Sequence, residues 1–162
     1  MKSAIIYSSK TGNTQLLANV IKENIEEDCE YIGMPNTDVN AELYFVGSWV
    51  DKGNFDGVIL EFLKTLKNKK IFLFGTAGFQ NSKPYYDRIL NCVKQSIDES
   101  NEIIGEYMCQ GKMPIAVKEK YEAMDLANAK FNVSSFIENF DLALSHPDSE
   151  DLARLENIIK NI

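Results

Sequence analysis

Short apolar runs alternate along this chain with longer stretches of helical spacing. Ser3 to Tyr7 (SAIIY) is short and apolar, the pattern of a buried strand. Thr14 to Glu26 follows, with Leu16, Leu17, Val20, Ile21 and Ile25 recurring at helical intervals. Glu30 to Gly33 predicts a short second strand before a Pro35–Asn36 turn, and Leu43 to Val46 a third. Phe55 to Leu66 places Phe55, Val58, Ile59, Phe62, Leu63 and Leu66 on one stripe, which predicts a helix. Ile71 to Phe74 (IFLF) is apolar at every position, as a strand buried on both faces must be. A helix over Tyr85 to Ile97 and a fifth strand over Ile103 to Met108 complete the series.

Such strands, alternating with helices, indicate an α/β fold with a parallel sheet covered on both sides. Right-handed crossovers then leave few topologies. The tail is predicted helical in pieces from Ile115 to Leu144, with a break near Asn128 to Asn132. A final helix follows, capped by Ser145 or Asp148, with Glu150 and Asp151 at its positive end and Lys160 at its negative end. The 162 residues contain no repeat, linker or low-complexity segment, so one domain over 1–162 is expected.

Charge narrows the partners. Net charge is −7 and the isoelectric point about 4.8. Nucleic acid, which selects a surplus of Lys and Arg, is not expected, nor is an anionic membrane surface. No run approaches the ~20 apolar residues of a membrane span, and with one lysine and only four apolar residues MKSAIIYSS is too short for a signal sequence, so none is expected there. Cys29, Cys92 and Cys109 are widely spaced and include no C-x-x-C pair. Reduced thiols and a cytoplasmic location are expected.

In an open parallel sheet, ligands bind beyond the carboxyl ends of the strands. The segment after the first strand is Ser8-Ser9-Lys10-Thr11-Gly12-Asn13-Thr14, which feeds directly into a helix. A helix start carries unpaired N–H groups and partial positive charge. The hydroxyls of Ser8, Ser9, Thr11 and Thr14 and the amide of Asn13 add donors, and Gly12 lets the backbone curl. This composition suits a phosphate monoester. A hydroxyl-rich helix cap with no ligand is the alternative. Neither G-x-x-x-x-G-K-[ST] nor G-x-G-x-x-G is present.

"SSKTGNT" resembles the phosphate-binding signature of the flavodoxin family, [ST]-x-T-G-N-T, at the end of the first strand. The order of elements matches that family from Met1 to about Met108. The resemblance implies a doubly wound five-stranded parallel sheet of order 2-1-3-4-5 and non-covalently bound FMN. It places Ser8, Ser9, Thr11, Gly12, Asn13 and Thr14 on the FMN phosphate, with Lys10 at the variable position and pointing to solvent.

The loop expected after the third strand, Gly47 to Gly53, holds the only tryptophan. The resemblance makes Trp49 one wall of the flavin, with Ser48 and Val50 beside it. A Trp folded back as a packing lid is the alternative. The family turns a peptide of this loop toward flavin N5–H, and Gly53 is the candidate hinge. After the fourth strand come Thr76, Ala77, Gly78 and Phe79, which the resemblance sets at the pyrimidine end. Phe79, Tyr85 or Tyr86 would supply a second wall, because the acidic residue and tyrosine common in the family's loop are missing here. "CQGKMP", residues 109–114, is a further candidate rim. With "GSWVDKG" and "SHPDSEDL" it resembles a small branch of flavodoxin-like proteins from anaerobic bacteria, some associated with flavin or bilirubin reductases.

His146 is the only histidine and lies before Pro147, so neither a zinc cluster nor a histidine-assisted nucleophile is expected. A receiver domain would need acidic residues where Ser8-Ser9 and Gly47-Ser48 stand. The resemblance therefore implies an FMN protein that shuttles one or two electrons between oxidoreductases, with a flavin reductase or other oxidoreductase as partner. An FMN-dependent reductase of a quinone or other small molecule is the alternative, and a flavin-free module on the same fold a third. Asp51, Asp56 and the −7 charge predict a low potential, opposed locally by Lys52 and Lys112. The acidic surface predicts a basic partner and transfer that slows with salt.

Overall fold

The computed structural model describes residues 1–127 and 133–162. Its strands are β1 (Lys2–Ser8), β2 (Asp28–Gly33), β3 (Leu43–Asp51), β4 (Asn54–Phe55), β5 (Lys70–Ala77) and β6 (Glu102–Gln110). Its helices are α1 (Asn13–Asn24), α2 (Gly57–Thr65), α3 (Lys83–Lys94), α4 (Ile115–Ala127), α5 (Ser134–Ala143) and α6 (Ser149–Lys160). The sheet runs β2-β1-β3-β5-β6, all parallel, and β4 hangs from β3 as an antiparallel stub. Counting only the parallel strands, the order is 2-1-3-4-5, as expected from the resemblance.

The unbroken apolar runs are explained by two cores. Successive side chains of a strand point to opposite faces. Tyr44 and Val46 of β3, with Ile71 and Leu73 of β5, join Ile59 and Leu63 of α2 and Ile89 and Val93 of α3. Phe45, Phe72 and Phe74 face the other way, against Leu17 and Ile21 of α1 and Leu155 and Ile159 of α6. Both faces pack against helices, so both parities of β3 and β5 are apolar along their middles until the strands reach the carboxyl edge. There the register aligns Ser8 with Ser48, Ser48 with Gly75, and Thr76 with Cys109.

The segment 47–53, expected as a loop, is mostly strand. β3 continues to Asp51, turns at Lys52-Gly53 and returns as β4. Lys52 (φ 50°) and Gly53 (φ 78°) both have positive φ, the requirement of the two-residue hairpin turn whose twist matches its strands. The expected strand ended at Val46, where the apolar run ends; a non-glycine residue at positive φ, as at Lys52, carries no sequence mark. Asp148 caps α6 through a reciprocal capping box with Asp151, and Ser145 does not cap it. The expected break near Asn128 to Asn132 lies outside the described residues. No helix among the described residues is long and apolar enough to cross a membrane.

Candidate functional site

A cavity of about 500 Å³ opens at the carboxyl edge of the sheet, where segments after β1, β3, β5 and β6 converge. Thr11 and Asn13 line it from the first segment, and Trp49, Val50 and Gly53 from the β3–β4 hairpin. Thr76, Gly78 and Phe79 line it from the end of β5, and Gly111, Lys112, Met113 and Pro114 from the end of β6. Tyr85 of α3 and Val117 of α4 complete its apolar side.

Gly12 is the N-cap of α1 at φ 88°, a conformation a side chain would strain, and no side chain caps the helix from that position. Ser9 Oγ accepts the Gln15 N–H at 3.4 Å. Thr11 Oγ1 and Asn13 Nδ2 donate to the Lys112 carbonyl, at 3.4 and 2.8 Å. The Lys112 N–H donates to the His146 carbonyl at 2.9 Å. The lone histidine therefore supports the site through its backbone, while its ring Nδ1 lies 2.6 Å from Asp151 Oδ2 in the α6 cap.

Several candidate residues are engaged inside the protein rather than at the cavity wall. Thr14 is fully buried, its hydroxyl 3.2 Å from that of Thr76. Ser8 donates to Asp56 Oδ2 at 2.6 Å, and the Trp49 indole N–H donates to the same oxygen at 3.3 Å. Ser48 is buried, accepts the Asp56 N–H at 2.9 Å and donates to the Trp49 carbonyl at 2.6 Å. Ala77 packs into the core beside Ile89 and Met108. Asp56 is thus the post around which Ser8, Ser48 and Trp49 are arranged, a role no sequence signal marked because it joins residues 48 positions apart.

Lys10 was expected to point to solvent. Its side chain is exposed, yet its Nζ stands 4.9 Å from the Trp49 ring centroid, and the residue lines the cavity. Of the candidates for a second aromatic wall, Phe79 and Tyr85 line the cavity, 6.1 Å apart centroid to centroid. Tyr86 does not, and its hydroxyl donates to Asn81 at 2.9 Å. Burial raises the Tyr85 phenol above its ordinary range. Burial also pushes the Cys109 thiol far up, which disfavours the thiolate. Val117 escaped the sequence reading because its place depends on how α4 docks, which no local spacing encodes.

The donor set fits FMN. One end offers neutral N–H and O–H groups, a helix start and a lysine, as a phosphate needs. The walls are aromatic and aliphatic, as a flat ring system needs. Among the described lining residues there is no carboxylate to oppose the anion.

Comparison with known proteins agrees. A family model described as a flavodoxin domain matches residues 4–160. A flavodoxin-like domain-containing protein, BilS, of Clostridium symbiosum is 37% identical, over 98% of this chain and 94% of its own. BilS of Clostridioides difficile is 34% identical, over 100% and 96%. Among solved structures, oxidised flavodoxin 2 of Bacillus cereus superposes with a TM-score of 0.59 at 15% identity, over 98% of this chain and 95% of that one. The chain belongs to the flavodoxin family. FMN binding is a defining feature of that family, and FMN is the cofactor assigned here.

Proposed function

We propose that this chain is an electron carrier that takes electrons from one oxidoreductase and delivers them to another through bound FMN. The observation that carries the reading is the convergence of four strand-end segments on one cavity with an anion-suited end and aromatic walls. FMN, when bound, supplies one- and two-electron chemistry. The protein's residues bind and orient it. The α1 start with Thr11 and Asn13 takes the phosphate, Trp49 covers one face, and Phe79 with Tyr85 borders the other side. Met113 and Val117 keep water from the ring. Gly53, at φ 78° in the Lys52-Gly53 turn, is the position for reorienting a peptide toward the ring, since glycine takes either sign of φ without a Cβ clash. No acid–base residue is required.

Purified protein is expected to carry flavin absorption bands, or to acquire them when mixed with FMN, with quenching of Trp49 emission. Trp49→Ala is expected to weaken FMN binding about tenfold or more, and Trp49→Phe less, since an aromatic pair contributes ~0.5–1.5 kcal/mol beyond burial. Protein that gains no flavin bands would overturn the reading. Rapid oxidation of NADH or NADPH by a quinone, with no reductase added, would replace the carrier by a reductase.

A further inference from the structure

The helices α4 and α5 stand between β6 and α6, yet among the described residues they supply nothing to either core on the sheet faces. Their contacts lie at the cavity instead. Val117 of α4 lines it. The Phe136 ring of α5 packs at 5.6 Å, centroid to centroid, on Phe79, a lining residue that is 48% exposed. One helical turn further along α5, Asn139 Nδ2 donates to the Gly78 carbonyl at 2.8 Å. Gln110, 2% exposed at the end of β6, donates its amide to the same carbonyl at 3.4 Å and to Asn139 Oδ1 at 3.1 Å. Gly78 lines the cavity, whereas Asn139 and Gln110 stand outside the lining. The preceding carbonyl, that of Ala77, accepts the Gly111 N–H at 3.2 Å.

We propose that Asn139 is a positioning residue for the flavin: with Gln110 it holds the Gly78 carbonyl out of the cavity and so raises the potential at which the ring accepts electrons. The inference rests on the FMN-carrier reading. Side-chain bulk does not hold the Gly78–Phe79 peptide. A Cβ at Gly78 would stand 2.2 Å from Met113 Cγ and 3.0 Å from the Gly111 carbonyl oxygen, so the position is glycine and the peptide after it is free to swing. The two amides supply the restraint that the backbone lacks. A carbonyl released from both is left unpaired beside an opening, and it regains a partner by turning toward the cavity. Its negative end then faces the ring. Reduction adds electron density to a flavin, so that dipole disfavours the reduced ring more than the oxidised one. Asn139, on a helix that neither sheet face uses, thus acts on the flavin through the Gly78 peptide.

The test is the midpoint potential of the FMN-loaded protein, read against a reference dye at neutral pH, beside urea unfolding of each flavin-free variant. Asn139→Leu keeps the bulk and removes the donor. It is expected to weaken binding of reduced FMN about fivefold more than that of oxidised FMN, a shift of ~20 mV to lower potential for a two-electron couple. Gln110→Met removes the second donor and is expected to shift the potential the same way; it decides the matter if Asn139→Leu takes up no FMN. Asn139→Gln retains an amide and is expected to recover most of the shift. Phe140→Leu alters a buried position of the same helix outside the lining, and is expected to lower stability and leave the potential unchanged. An unchanged potential in Asn139→Leu, the same shift in Asn139→Gln, or an equal shift in Phe140→Leu would overturn the proposal. Unaltered protein that takes up no FMN would overturn the carrier reading, and this inference with it.

Discussion

Asp56 is the residue whose loss says most about how this site is built. One carboxylate oxygen accepts from Ser8 Oγ at 2.6 Å and from the Trp49 indole N–H at 3.3 Å. Ser8 is 5% exposed, so Asp56→Ala leaves a buried hydroxyl without its acceptor, which costs ~1–3 kcal/mol. Trp49 is half-buried and its N–H is rehydrated in part, which adds ~0.5–1 kcal/mol. Asp56 occupies the N-cap position of α2 without making a side-chain cap, so no capping loss is added. The total expected is about 1.5–4 kcal/mol. Asp56→Asn keeps an acceptor for Ser8 and gives up the charge, so it costs about half as much. The assay is urea unfolding of the flavin-free protein followed by far-ultraviolet circular dichroism, which does not depend on Trp49 emission. Ser8→Ala and the double variant complete a cycle, with an expected coupling of ~1–3 kcal/mol between the two positions. Additive losses, with coupling under ~0.5 kcal/mol, would refute the claim that Ser8 is held by Asp56.

Two further outcomes follow from the same geometry. In Gly111→Ala the new Cβ would stand 2.5 Å from Asn13 Nδ2. The Asn13 amide then leaves the Lys112 carbonyl, and FMN affinity measured by calorimetry falls about tenfold, ~1.4 kcal/mol. Unchanged affinity would show that this bridge does not shape the site. Tyr107 donates its hydroxyl to the Asp151 carbonyl at 2.7 Å, and burial pushes its phenol from 10.0 up to about 12. A phenol raised in the folded state is deprotonated first in the unfolded chain, so its contribution is full below pH 10 and is lost as pH climbs through 12. The stability gap between the unaltered protein and Tyr107→Phe should therefore close over that window. A gap that stays constant from neutral pH to 12 would sink the assignment.

The parallel sheet was legible because its strands are buried on both faces. That condition forces unbroken apolar runs such as Ile71 to Phe74, which few other structures require. The anion-suited end was legible because a strand-to-helix junction is local, and its hydroxyls and Gly12 lie within seven consecutive residues. The β3–β4 hairpin was not legible. Lys52 at positive φ carries no sequence mark, and the stub that returns from it is only two residues long.

By itself, then, the sequence determined what is periodic or contiguous: the alternation of strands and helices, the order of the sheet through its resemblance, and two candidate segments for a flavin site, Ser8–Thr14 and the stretch around Trp49. Only the tertiary structure decided which of those side chains face the cavity. It withdrew Ser8, Thr14 and Ser48 into bonds with Asp56 and Thr76. It brought in Lys10 and Val117, and of the candidate aromatic walls placed Phe79 and Tyr85, but not Tyr86, at the cavity. The physical reason is range. Periodicity and capping act between residues a few positions apart, whereas hydrogen bonds and fields act across space between segments the chain separates by dozens of residues.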